Sequence, residues 1–148
     1  MKIEILYSQE QLAVVAEQLV KQVEGCRIIT LTGDLGAGKT TLIKQLLYNW
    51  GVREEVVSPT FTYVNCYRTD SGQNLCHFDL YRIAKLEQFL ELGFDEYLSE
   101  FGSTCLIEWP QVVESLLDEQ AVGPIARLEI KHISNNQRKL IVMMGALE

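Results

Sequence analysis

The chain has 148 residues, close to the roughly 150 of one typical domain, with 47% apolar and 22% charged residues, which excludes a disordered or collagen-like polymer. Asp plus Glu number 20 against 13 Lys plus Arg, a net charge of −7. Neutralising phosphates needs a basic face, so bulk electrostatics do not make this chain a nucleic-acid binder, and any RNA role calls for a partner.

Ile3 to Tyr7 reads as a short strand. Ser8 opens a helix, with Gln11 three residues on completing a capping box. Leu12, Val15, Ala16, Leu19, Val20 and Val23 follow at helical spacing, and Gly25 stops the helix. Cys26 to Thr32 is β-rich without alternation, the pattern of a strand buried on both faces. After the segment GDLGAGKTT, Leu42, Ile43, Leu46, Leu47 and Trp50 form an apolar helical stripe ending at Gly51. Phe61 to Tyr67 and Leu75 to Leu80 are strand-like around a turn-rich Arg68 to Asn74, which predicts an antiparallel hairpin. Ala84 to Leu92 and Phe94 to Leu98 are short helical segments on either side of Gly93. Thr104 to Trp109 is another buried-type strand, and Pro110 suits the first turn of a following helix. Ile125 to Ile133 and Lys139 to Met144 are two late strands joined by Ser134 to Gln137. The sum is one α/β domain over residues 1–148, a P-loop NTPase type, its parallel-core sheet extended by antiparallel hairpins and flanked by helices.

The four cysteines, Cys26, Cys66, Cys76 and Cys105, lie 40, 10 and 29 residues apart. No CxxC pair or zinc spacing results, and the expectation is four buried thiols in a reducing cytoplasm. Glu4, Glu10 and Glu17 break up the N-terminal apolar residues, which fits neither a signal peptide nor a membrane span.

Gly33 to Thr40 matches the phosphate-loop pattern G-x-x-x-x-G-K-[ST] between a buried strand and an amphipathic helix, the context that gives the motif its meaning. Gly33, Gly36 and Gly38 let the backbone curl close to a phosphate, with Asp34, Leu35 and Ala37 completing the loop. The helix N-terminus adds partial positive charge. Lys39, expected at the loop surface, would reach the β- and γ-phosphates of ATP or ADP, and Thr40 would offer its hydroxyl to Mg2+. Thr41 is an alternative to Thr40. Turnover also needs an acid at the end of a neighbouring strand. Glu108 and Asp79 each end such a strand, and Glu108 is the better candidate because apolar or small residues precede it and Trp109-Pro110 fixes the chain after it. Weaker signals come from Ser58 to Phe61 as a loop near the γ-phosphate, from His77 as a structural strand histidine, and from Arg82 beside Asp79. Arg138 reads as reaching a nucleotide from above, and Tyr7 and Ser8 as bordering its base.

With these residues in place the chain resembles the TsaE (YjeE) family of small bacterial ATPases. The matching pieces are GDLGAGKTT at Gly33 to Thr41, SPTF at Ser58 to Phe61, HFDLYR at His77 to Arg82, LGFDEYL at Leu92 to Leu98 and IEWP at Ile107 to Pro110. The resemblance implies magnesium-dependent ATP hydrolysis, weak alone. It implies action with the two partner proteins of the bacterial threonylcarbamoyl-transferase complex on adenosine 37 of tRNAs reading ANN codons, with tRNA met only through the complex. Hydrolysis would reset that complex rather than make the carbamoyl-adenylate. It also implies Thr40 and Glu108 as the metal site, Asp79 as a second acid and Trp109 near the nucleotide. Where the family often has Gly-Arg, this chain has Gln137-Arg138. Two rival readings share the loop: a small-molecule kinase, disfavoured because the arginines are scattered without a lid-like cluster, and a non-catalytic nucleotide-dependent interaction module.

Overall fold

The chain's architecture, in a computed structural model describing residues 1–99 and 103–145, follows from two kinds of apolar pattern. Where apolar residues run without alternation, strands form in the middle of a sheet. Where they recur every three or four residues, helices cover it. In chain order the elements are β1 (Lys2–Tyr7), α1 (Leu12–Gln22), β2 (Ile28–Thr32), α2 (Lys39–Asn49), β3 (Val64–Arg68), β4 (Asn74–Asp79), α3 (Leu86–Glu91), α4 (Asp95–Ser99), β5 (Ser103–Glu108), α5 (Glu119–Val122), β6 (Ile125–Ser134) and β7 (Gln137–Met144). Residues Gln9–Gln11 and Pro110–Leu116 form 3-10 turns.

One seven-stranded sheet has the order β1-β7-β6-β2-β5-β4-β3. The central four strands, β6, β2, β5 and β4, run parallel. The additions at both edges are antiparallel: β3 on β4, and β7 with β1 beyond β6. Mixed order was expected from helices between some strands and tight turns between others. β2 has β5 on one side and β6 on the other, so a crevice opens beyond its carboxyl end, where such sheets place ligands.

The two faces of the sheet are covered differently. On one face α1 and α2 bring Val15, Ala16, Leu19, Leu42, Ile43, Leu46 and Leu47 against Ile29, Leu31, Leu75, Leu106 and Leu128. On the other the shorter α3 and α4 and the 3-10 turn pack around Phe78, Phe89, Ile107 and Val113. Phe78 stands 5.6–6.1 Å, centroid to centroid, from Phe89, Phe94 and Tyr97.

Two expectations change here. Cys66 and Cys76 are direct partners across the β3–β4 pair, with Cα atoms 4.1 Å apart, and are joined by a disulfide rather than free. The ten-residue spacing suits a short hairpin that brings the two cysteines face to face. Cys26 and Cys105 remain thiols. The strand expected from Phe61 begins only at Val64, because Tyr63 has φ 68°, outside the extended region.

Candidate functional site

The loop after β2 is shaped by its glycines. A Cβ on Gly33, at φ 151°, would stand 2.6 Å from the carbonyl oxygen of Ile130, so only glycine lets β2 leave the sheet this close to β6. Gly38, at φ 103°, is the residue from which α2 starts. The first intrahelical bond is donated by Leu42 N–H to the Gly38 carbonyl at 3.0 Å. The N–H groups of Lys39, Thr40 and Thr41 precede it and face the helix entrance unpaired within the helix, which makes that end attractive to anions.

Lys39 is not on the surface, as expected from sequence, but 5% exposed. Its Nζ donates to the Gly33 carbonyl and, at 3.1 Å, to that of Asp34, and it sits 4.2 Å from the centre of the Trp109 ring. The aliphatic stem is covered while the ammonium faces the loop. Burial pushes its pKa down, while Glu108, Asp79 and Asp34 pull it up. The cost of burial is the larger, so the ammonium's pKa lies below the ordinary lysine value.

Parallel register sets the two acids side by side. Asp79 of β4 is the lateral partner of Glu108 of β5, so both point to the face that α2 covers. Glu108 is 2% exposed. The Thr40 hydroxyl donates to it, 3.0 Å from Oε1 and 3.2 Å from Oε2. On its far side His77 Nε2 lies 2.7 Å from Oε2. Asp79 is more open, and its Oδ1 accepts from Tyr81 N–H at 3.1 Å. Trp109 takes a left-handed conformation, φ 56° and ψ 58°, which turns the chain immediately after the acid. Its ring rests 4.9 Å from Tyr81. These oxygen donors (one hydroxyl, two carboxylates) suit a hard divalent cation such as magnesium.

Around them lies a cleft of ≈ 460 Å³. Its floor is the loop with Lys39, Thr40 and Thr41, and its back wall holds Asp79, Glu108 and Trp109. Ser58 and Thr60 form the rim with Tyr81 and Arg82. The Arg82 guanidinium stacks 4.7 Å above the Phe61 ring. The loop also borders a second hollow of ≈ 170 Å³ on its other side, where Tyr7 and Arg138 meet as partners in the β1–β7 pair. Arg138 Nε donates to the Ala37 carbonyl at 3.2 Å. Burial raises the Tyr7 hydroxyl pKa, with Arg138 acting against it.

Of the residues singled out from sequence, the structure gathers Gly36, Gly38, Lys39, Thr40, Thr41, Asp79, Glu108 and Trp109 at one cleft, with the exposed Leu35 on its lip. Gly33, Asp34 and Ala37 act through loop backbone. Tyr7 and Arg138 stand at the neighbouring hollow. Ser8 lines neither space. It takes part in the expected capping box, its N–H donating to Gln11 Oε1 at 2.9 Å. Sequence reasoning missed the His77 contact with Glu108. The signal was the alternation in HFD: His77 and Asp79, two apart on one strand, share a face, and Asp79 is level with Glu108.

The family described as threonylcarbamoyl adenosine biosynthesis protein TsaE matches residues 6–140 of this chain. A Rickettsia felis protein named tRNA threonylcarbamoyladenosine biosynthesis protein TsaE is 32% identical over 145 residues, spanning 97% of this chain and 81% of its own length. A Haemophilus influenzae protein of the same name is 42% identical over 105 residues, 70% of this chain and 65% of that one. The crystal structure of Bacillus subtilis YdiB superposes with a TM-score of 0.73 at 27% identity, covering 98% of this chain and 87% of that one.

Proposed function

The chain belongs to the TsaE family, and we propose that its cleft binds ATP with magnesium and hydrolyses it in support of threonylcarbamoyladenosine formation on adenosine 37 of tRNAs reading ANN codons. The observation that carries this reading is the meeting of Lys39, Thr40, Glu108 and Asp79 at the mouth of one glycine-rich loop.

Each residue has a role its surroundings support. The unpaired N–H groups at the start of α2 and the Lys39 ammonium hold the β- and γ-phosphates and orient the terminal one. Thr40 and Glu108 would hold the magnesium ion, which when bound neutralises charge developing on the β- and γ-phosphate oxygens. Asp79, more open than Glu108, accepts a hydrogen bond from the attacking water and aligns it with the terminal phosphorus. Trp109 and Tyr81 shield the Lys39 ammonium and the phosphates from bulk water, which strengthens every charge interaction inside. Tyr7 and Arg138 flank the nucleoside end from the neighbouring hollow.

Single P-loop units without an arginine finger are slow. Arg82 stacks on Phe61 at the rim, so turnover rises when the two partner proteins of the threonylcarbamoyl-transferase complex order the Ser58–Phe61 rim or supply a cation. With net charge −7 the chain meets tRNA through those partners, in the cytoplasm. No helix among the described residues is long and apolar enough to cross a membrane. The test is phosphate release from ATP by the purified chain, alone and with both partners, together with the nucleoside content of tRNA from a deletion strain. Slow release accelerated by the partners and loss of the modified nucleoside are expected. No complex, no acceleration and normal tRNA would reject the reading.

A further inference from the structure

Glu108 sits between two groups. The Thr40 hydroxyl approaches from the cleft and His77 from the sheet interior. His77 is 0% exposed, and β4 holds it with Asn65 of β3 on one side and Leu106 of β5 on the other. An ionised carboxylate only accepts, so ring Nε2 carries the proton it shares across 2.7 Å. Nδ1 is buried and has no hydrogen-bond partner among the described residues. A proton there would be an unsatisfied buried donor, so the hydrogen-bond pattern assigns the donating N–H to Nε2. Nothing in the sheet uses the other ring nitrogen. What the imidazole offers that an apolar residue of like shape does not is one N–H, and Glu108 takes it.

We infer that His77 is a positioning residue for ATP hydrolysis: its Nε2–H pins Oε2 of Glu108, which leaves Oε1 turned to Thr40 and the cleft, where the magnesium ion would be held. This rests on the role proposed above for Glu108. Outer partners of metal-holding carboxylates and histidines act in this way, fixing the ligand before the metal arrives.

The experiment compares H77L, H77Q, H77N and E108Q with the parent. A Gln amide reaches the position of Nε2, an Asn amide stops near that of Nδ1, and Leu donates nothing. H77L and H77N should lower kcat roughly 10- to 100-fold with KM for ATP changed by less than about threefold. H77Q should recover most of the loss. By calorimetry, ADP affinity in EDTA should be the same in all three His77 variants. The gain in ADP affinity on adding magnesium should shrink in H77L and H77N but not in H77Q. Nitrogen NMR of the parent imidazole should report the Nε2–H tautomer without any turnover. Parent-like kcat in H77L, with E108Q inactive, would overturn the positioning role and leave the Glu108 reading standing. Parent-like kcat in E108Q would overturn both. If H77L does not fold, the H77Q–H77N contrast and the parent spectrum decide: equal losses in the two amides, or a proton on Nδ1, overturn the proposal.

Discussion

The two faces of the sheet are made from the same strands yet have different chemistry. Under α1 and α2 the packing is aliphatic, and this face alone carries the buried Lys39, His77 and Glu108. Under α3, α4 and the 3-10 turn the packing is aromatic, and among the described residues no Lys, Arg, His, Asp or Glu is buried there. Neighbouring residues of one strand serve both: Phe78 goes to the aromatic side, and His77 and Asp79 to the site. Alternation along β4 thus separates stability from chemistry at single-residue resolution. Charged groups gather where a long helix can start at the sheet's end and answer them with its N-terminus. The short elements opposite offer only apolar cover.

The sharpest challenge to this division is Phe78→Ala. Truncating a fully buried phenylalanine that meets three other rings should cost about 3–5 kcal/mol of stability. ADP affinity measured well below the new melting temperature should be unchanged. A large affinity loss would mean the faces are mechanically coupled. The mirror experiment is Glu108→Ala. Hydrolysis should fall about 10²- to 10³-fold while ADP affinity in EDTA stays near the parent's, since metal and water placement matter in the transition state. Phosphate release at the parent rate would make Glu108 a structural carboxylate and move attention to Asp79. Lys39→Ala comes next. Losing one charge-assisted phosphate contact should weaken ATP binding by about 2–3 kcal/mol. Melting should fall modestly, because the buried side chain's partners within the chain are two loop carbonyls and the Trp109 ring. Unchanged ATP affinity would sink the phosphate-loop assignment. Smallest is Cys66→Ser. Opening the disulfide that closes the β3–β4 hairpin should cost roughly 2 kcal/mol, a shift of about 5 °C in melting. Reductant should reproduce the shift in the parent and do nothing to the variant. The site face should not notice, and ATP turnover at 25 °C should be unaltered.

What could be read from sequence follows the same division. The loop was legible because its spacing is fixed by phosphate geometry and its flanks had the periods of a strand and a helix. The order of strands and helices followed from Val15-Leu19 and Leu42-Leu46 spacing and from the unbroken apolar runs of β2 and β5. The residues that were misread are ones whose conformation depends on distant partners. Tyr63 leaves the extended region to donate its N–H to the Pro59 carbonyl at 2.8 Å and accept from Asp79 N–H at 2.9 Å. Lys39 is buried because Trp109, seventy residues on, turns left-handed and covers it. The turn after Pro110 is 3-10 rather than α, and the four-residue α5 was too short to show a period. Cys66 and Cys76 were judged by metal spacing, when the relevant quantity was their register in a hairpin. His77 looked like an ordinary strand histidine because its partner belongs to another strand.

The sheet's outermost strand sets an order of events during synthesis. Its only neighbour is β7, and residues 2–7 pair with residues 138–143. A ribosome adding on the order of 5–20 residues per second needs roughly ten seconds between making the first of these segments and the second. Throughout that interval β1 has no ladder to join, so Ile3 and Ile5 must wait against α1 or in solvent. Tyr7 and Arg138, one from each segment, meet only when this last seam closes, and they meet beside the loop. The hollow beside the loop is therefore closed only after β7 has been made, and a nascent chain halted before β7 would carry the whole phosphate-loop motif without Tyr7 and Arg138 paired beside it.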